Sequence, residues 1–243
     1  MSRARKYMIL AGALALIVVL LIVVGPKIQQ LLFYPTPRGL PPTVNQDTEQ
    51  LLARLLAVLE TNAPAVAQSL RPGLSSDQIT ELETRGGFNL TDELRTLYRW
   101  RNGMRTNGFG LLPGHDFPPL EEVVRDRTGL HHELKSNNGT QRAAFSVFAG
   151  HVKNWVSIFP DGSGDGYFFD PARASQEGAF FYHFAEDGHY LWFPSFRNFL
   201  AGTIEGFETR VFRLGTNETV LDEDYERSQK IWERFAGDSL TGK

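Results

Sequence analysis

Asp161, Ser163, Asp165 and Gly166 set oxygen-bearing side chains at alternate positions ahead of a glycine. That is the opening half of a loop that wraps a calcium ion. The twelfth position, which should supply a bidentate glutamate, is Ala172. A Gly/Asp-rich hairpin turn accounts for every one of these residues without a metal, and a turn is the expected structure. The six histidines, His115, His131, His132, His151, His183 and His189, never fall at the His-Glu-x-x-His spacing of a zinc hydrolase. His183 lies in an aromatic strand pattern, where a structural histidine is expected. Neither a Gly-x-Ser-x-Gly elbow nor a Walker-type glycine loop occurs. Cysteine is absent, so thiolate chemistry and disulfides are excluded. Glu121-Glu122 and Asp222-Glu223-Asp224 fall in helix patterns where exposed charge is the default. The expectation is a protein without catalytic residues, metal or cofactor, although an acid–base pair could still be assembled in space from distant positions. Three formal glycosylation sequons begin at Asn89, Asn138 and Asn217, and cap or turn chemistry explains two of them.

The elements that would carry such residues follow from periodicity. Met8 to Gly25 contains no charged side chain, with Met8, Leu16 and Val24 along its length. Roughly eighteen residues at about 1.5 Å each match the hydrocarbon thickness of a bilayer. Arg3, Arg5 and Lys6 precede the run and only Lys27 follows it closely, which favours a cytoplasmic N-terminus and an extracytoplasmic domain. The expected organisation is a cytoplasmic tip and transmembrane anchor over 1–32, a Pro-rich linker over 33–46, and a soluble domain over 47–243. Of the 25 basic residues, four flank the apolar run, leaving 21 against 28 acidic ones beyond it. An acidic domain of this kind argues against sequence-independent nucleic-acid binding.

Asp47 with Gln50, Ser75 with Gln78, and Thr91 ahead of Asp92 and Glu93 mark three helix starts. They predict helices over about 48–61, from Ser75 to Gly86-Gly87, and from Thr91 to a stop at Asn102-Gly103, with a short helix through Ala65–Leu70. Beyond Phe109, aromatic runs at Phe145–Phe148, Trp155–Phe159, Gly166–Phe169 and Phe180–Phe184 predict strands. Helical spacing returns at Phe196, Phe199, Leu200 and Ile204. A last helix is expected to carry Leu221, Tyr225, Trp232 and Phe235. Helices, then a meander, then helices predict an α+β fold around an antiparallel sheet.

Four blocks then resemble the SUKH superfamily, the Smi/Knr-type domains. They are GLSSDQITELE with TDELRTLYRWRNG (73–103), LLPGHDFPPLEEV (111–123), WVSIFPDGSGDGYFFDP (155–171) and FPSFRNFLAGTIEG (193–206). In order they cover a family-like core of about 74–207. Asn89-Leu90-Thr91 departs from the usual Leu-Pro ahead of the second helix, and the anchor departs from the many cytosolic members. The resemblance implies a SUKH-like α+β domain that binds protein without catalysis, here expected behind the N-terminal transmembrane helix read from the apolar run. It implies the role of a toxin-immunity protein or a cell-wall or envelope assembly factor, with a protein partner at the membrane. Arg101, Asn102, Trp155, Asp161 and Asp165 are the candidate partner-binding residues, at a helix end and a hairpin. An envelope hydrolase acting on cell-wall sugar or peptide, and a structural subunit of a membrane complex, are the alternatives.

Overall fold

Capping chemistry sets the helix starts in a computed structural model of the chain. The structure describes residues 41–105, 110–136, 155–176, 178–184, 189–216 and 220–236. Asp47 accepts the Gln50 N–H at 2.8 Å and Gln50 accepts the Asp47 N–H at 3.1 Å, a reciprocal box that opens α1, Thr48–Asn62. Pro64 begins α2, Pro64–Ser69, where its missing N–H costs nothing. Ser75 and Gln78 repeat the box at α3, Ser76–Gly86, and Gly87 ends it at φ 67°. Thr91 caps α4, Asp92–Trp100, through the Leu94 N–H at 3.3 Å.

The expected stop at Asn102-Gly103 is corrected. α4 ends at Trp100 because Arg101 turns extended, and Asn102-Gly103 lies inside β2, Arg101–Met104, paired antiparallel with β1, Leu70–Pro72. Asn102 is pulled inward instead. Its Oδ1 accepts the Leu120 N–H at 2.8 Å and its Nδ2 donates to Glu121 at 2.9 Å, fixing the start of α5, Leu120–Ser136. Gly103 sits at φ 73°, and a Cβ there would lie 2.4 Å from the Pro119 nitrogen. Only glycine meets both demands.

The four-stranded sheet is an antiparallel meander in the order β3–β4–β5–β6. Its strands are β3, Val156–Pro160; β4, Gly166–Phe169; β5, Phe180–Phe184; and β6, His189–Phe193. Three of them occupy the predicted runs. β6 was not expected, although the Asp187-Gly188 dipeptide between two aromatic runs is a hairpin signal. The expected strand at Phe145–Phe148 lies outside the described residues. Alternate residues face the main core: Tyr167, Phe169, Phe180 and Phe193 are all buried. Phe168 and Phe181, on the opposite face, are buried as well. Burial on both faces makes these strands read as continuous aromatic runs rather than alternating ones.

Against the core face lies α6, Phe196–Glu208. Phe199 is its centre, with ring centroids 4.8 Å from Tyr167, 4.9 Å from Phe180 and 5.4 Å from Phe159. The last two helices are separated by a hairpin of β7, Phe212–Leu214, and β8, Leu221–Glu223. This corrects the expected final helix, because Asp224 caps α7, Tyr225–Phe235, and leaves Leu221 in a strand. Tyr225 is 67% exposed, and the buried stripe is Ser228, Ile231 and Phe235. Asp222 and Glu223, expected on a helix, are strand residues.

All described residues belong to one compact unit, Pro37–Lys243, an α+β fold with seven α-helices and antiparallel sheets among them. No described helix is long and apolar enough to cross a membrane. The run from Met8 through Leu16 to Val24, expected to be the anchor, lies outside the described residues.

Candidate functional site

The β3–β4 turn organises itself around Asp161. Its carboxylate accepts the N–H of Ser163 at 2.8 Å, the N–H of Gly164 at 3.2 Å and the Ser163 hydroxyl. The Asp161 N–H donates to the Asp165 carbonyl at 3.2 Å, closing the loop and bringing the two candidate aspartates together. Partial burial pushes the Asp161 carboxyl up, but the Ser163 and Gly164 donors and nearby His115 outweigh it and hold the pKa below the usual value. A carboxylate already holding three local donors is a turn former, which is what the glycine-rich spacing predicted.

Around this tip the fold gathers groups from distant parts of the chain. The Asp116 N–H donates to the Pro160 carbonyl at 2.8 Å, seating the 113–116 loop against the hairpin base. His115 is held by the Pro113 carbonyl at 2.8 Å and lies 3.3 Å from the Tyr182 hydroxyl. Its ring packs edge-on against Tyr167 at 5.2 Å and Tyr182 at 5.5 Å. Burial raises the pKa of Tyr182, and the fields of Asp165, Asp161, Glu223 and Tyr225 raise it further. The tip, the 113–116 loop and β5 therefore meet at one half-buried tyrosine, which also feels the charges of the β8–α7 junction. Tyr225, at that junction, stands exposed.

The other candidate residues lie elsewhere. Asn102 is 2% exposed with both ends of its amide engaged inside the protein, so its expected place on a surface is corrected. Arg101 lies over the Trp100 ring at 5.3 Å and lines a cavity of about 360 Å³ between α1 and α4, with Leu52 and Leu56. Trp155 precedes β3, whereas Asp161 follows it, so about 20 Å of strand separates them. Trp155 packs edge-on against Phe181 at 4.9 Å and His183 at 5.4 Å, and its carbonyl accepts Arg127 Nη1 at 2.8 Å. The candidates expected at a helix end and a hairpin thus occupy three places, because Trp155 and Asp161 sit at opposite ends of β3.

A family model described as the SMI1 / KNR4 family (SUKH-1) matches residues 73–202, more than half of the chain. The chain belongs to that family. No individual curated protein matches it. The match begins and ends within a few residues of the 74–207 core inferred from the four blocks. It contains the hairpin tip, His115 and Tyr182, while Glu223 and Tyr225 come from the segment C-terminal to it.

Beyond the family match, the chemistry of the remaining sites is limited. Among the described residues no group of three or more His, Asp or Glu side chains could hold a metal ion. The larger cleft, about 560 Å³, lies between the N-termini of α4 and α6, with Phe169, Phe180 and Phe193 beneath it. Its acids, Asp92 and Glu93, are neighbours on one helix rather than a facing pair. Glu93 is committed to the Phe196 N–H at 3.0 Å and Arg197 Nε at 3.0 Å. Retaining or inverting glycoside hydrolysis needs two carboxylates across a bond, an arrangement this cleft does not offer. Glu223 and Tyr225 are not legible as surface neighbours in the sequence, where Glu223 reads as a solvated helix charge and Tyr225 as part of an apolar helix stripe. Only the cap at Asp224 turns Tyr225 outward.

Proposed function

We propose that this member of the family is a membrane-anchored protein-binding domain that works without catalysis, as a toxin-immunity protein or an envelope assembly factor. Family membership supports the protein-binding half of this reading, since the family includes toxin-immunity proteins. The apolar run Met8–Val24 between Arg3, Arg5, Lys6 and Lys27 supports the anchor. The choice of surface rests on the β3–β4 tip and the 113–116 loop meeting at Tyr182, where the fields of Asp161, Asp165 and Glu223 all reach, and on the exposed Tyr225 of the β8–α7 junction. Tyrosine with adaptable polar neighbours suits a protein interface. The proposed organisation is an anchor over 1–32, a spacer over 33–46 and a binding domain over 47–243, with the domain outside the cytoplasm.

The test uses the full-length chain recovered from membranes with its bound proteins. Replacing Tyr225→Ala and Glu223→Lys together changes two exposed residues without touching the turn hydrogen bonds. A specific protein retained by the native chain should fall at least tenfold with the variant, at unchanged thermal stability. Equal retention would remove this face from the binding site. Asp161→Ala is a poorer probe, because it also removes the acceptor that shapes the loop.

A further inference from the structure

Arg101 marks a second surface, to which the β3–β4 tip contributes no lining residue. Leu52, Ala53 and Leu56 share one face of α1, and Thr96, Arg99 and Trp100 share one face of α4, which Arg101 continues into β2. Together they wall a groove of about 360 Å³. Its floor is apolar. Leu52 is buried, whereas Leu56 and Trp100 are only half-buried, so apolar surface is left open between the two helices. Glu49 stands at the rim, 80% exposed and 3.8 Å from Arg99.

The guanidinium groups at this end lack carboxylates of their own. Arg101 Nη1 donates to the Trp100 carbonyl at 2.8 Å, and its Cζ lies 5.3 Å from the Trp100 ring centre. Those contacts fix the side chain and spend one of its five N–H donors. The β1–β2 ribbon adds two more arginines. Leu70 opposes Met104, Pro72 opposes Arg101, and the Arg105 N–H donates to the Ser69 carbonyl at 2.8 Å, so Arg71 and Arg105 belong to the same short ribbon as Arg101. Arg54, Arg95, Arg197 and Arg234 elsewhere each meet a glutamate. Arg71, Arg101 and Arg105 meet no acid among the described residues.

We propose that this groove docks an acidic segment of a partner protein, with an apolar side chain seated against Leu56 and Trp100 and a carboxylate paired with Arg101. Both halves of the site suit that occupant. The apolar side chain covers surface that the two helices leave in water. The guanidinium is already held in place, so it loses little freedom when a carboxylate takes its remaining donors. An anionic bilayer is disfavoured, because a plane of headgroups would not fill the groove and would press against Glu49. A nucleic acid is disfavoured as well, because its phosphates would face a domain of net negative charge.

The test titrates the full-length chain in detergent micelles with three fluorescent peptides. They are Gly-Asp-Leu-Glu-Glu-Leu-Gly, its amide form Gly-Asn-Leu-Gln-Gln-Leu-Gly, and Gly-Asp-Ser-Glu-Glu-Ser-Gly. Anisotropy should give the first at least tenfold tighter binding than the second and several-fold tighter binding than the third. Arg101→Gln should erase the preference for acid over amide at unchanged Tm. Ala53→Glu leaves Arg101 in place and sets a like charge at an exposed position on the groove wall, and it should weaken the first peptide several-fold. Arg85→Gln, at an exposed arginine on α3, and Tyr225→Ala should change nothing. Equal binding of the acidic and amide peptides would overturn the proposal, as would undiminished binding by Ala53→Glu. A loss with Arg85→Gln as large as that with Arg101→Gln would reduce the effect to diffuse charge and overturn it too. Displacement of the first peptide by phosphatidylserine in the micelles, and not by phosphatidylcholine, would give the groove to a lipid surface instead. If the peptides fail while the Tyr225/Glu223 variant still loses its membrane-recovered partner, the binding function stands and only this groove falls.

Discussion

Asp161 shows how one side chain can look like a ligand and act as a fastener. Its three accepted hydrogen bonds come from the same turn, so the carboxylate spends its acceptor capacity on Ser163 and Gly164. The folded pKa is depressed relative to the unfolded chain. The stabilisation is therefore present above the unfolded value and is lost as pH falls through the folded one. Urea midpoints measured between pH 6 and 2 should show a decline starting below about pH 4, and Asp161→Asn should flatten part of it. Because Asp161 is largely solvated, its share is small. Asp161→Ala should lower Tm at neutral pH by about 2–4 °C, the shift expected for a loss of about 1 kcal/mol in a domain of this size. An unchanged acid limb in Asp161→Asn would show that the turn does not depend on the ionised group. Asn102 makes the complementary point. It resembled a helix stop with surface potential, yet its amide pairs with the buried Leu120 N–H, where an unmade bond carries the full desolvation penalty.

At the scale of elements, the contacts that matter join helices far apart in sequence. Glu93 in the first turn of α4 accepts the Phe196 N–H and Arg197 Nε, so one carboxylate helps cap α6 more than a hundred residues away. Glu93→Gln keeps an acceptor for the Phe196 N–H and loses the charge on Arg197, a half-exposed pair, and should cost under about 1 kcal/mol. Glu93→Ala leaves that N–H without its acceptor and should cost about 1–2 kcal/mol. Denaturant unfolding of both variants checks the order, and equal losses would show that the cap contributes nothing. Glu83 plays a similar part between α3 and α4. It is 3% exposed, accepts the Leu90 N–H at 2.8 Å and pairs with Arg95. The capping boxes at Asp47 and Ser75 were legible because capping is local: donor and acceptor lie three residues apart and demand particular side chains. The links from Glu93 and Glu83 were not, since exposed helix acids look the same whether or not a partner waits across the fold.

For the whole molecule, the proposed anchor raises the question of which side of a membrane the domain works on. Basic residues before the apolar run favour an extracytoplasmic domain. Protease added to intact cells and then to spheroplasts should degrade the C-terminal domain only once the envelope is opened. Protection until the inner membrane is lysed would place the domain in the cytoplasm and turn the partner search to intracellular proteins.

The sequence by itself determined what depends on neighbours along the chain: three capped helix starts, the β3–β4 turn, three of the four meander strands and the α+β class. It also carried the family, because the four blocks run in order over 73–206, against a matched range of 73–202. Tertiary structure decided what depends on residues meeting across the fold. It buried Asn102, moved Leu221 into a hairpin and turned Tyr225 outward. It also placed Trp155 and Asp161 at opposite ends of one strand, and it seated the 113–116 loop and the β3–β4 tip beside Tyr182. The physical reason is range: capping and turn chemistry act over three or four residues, whereas burial and electrostatic fields act over ångströms and ignore separation along the chain.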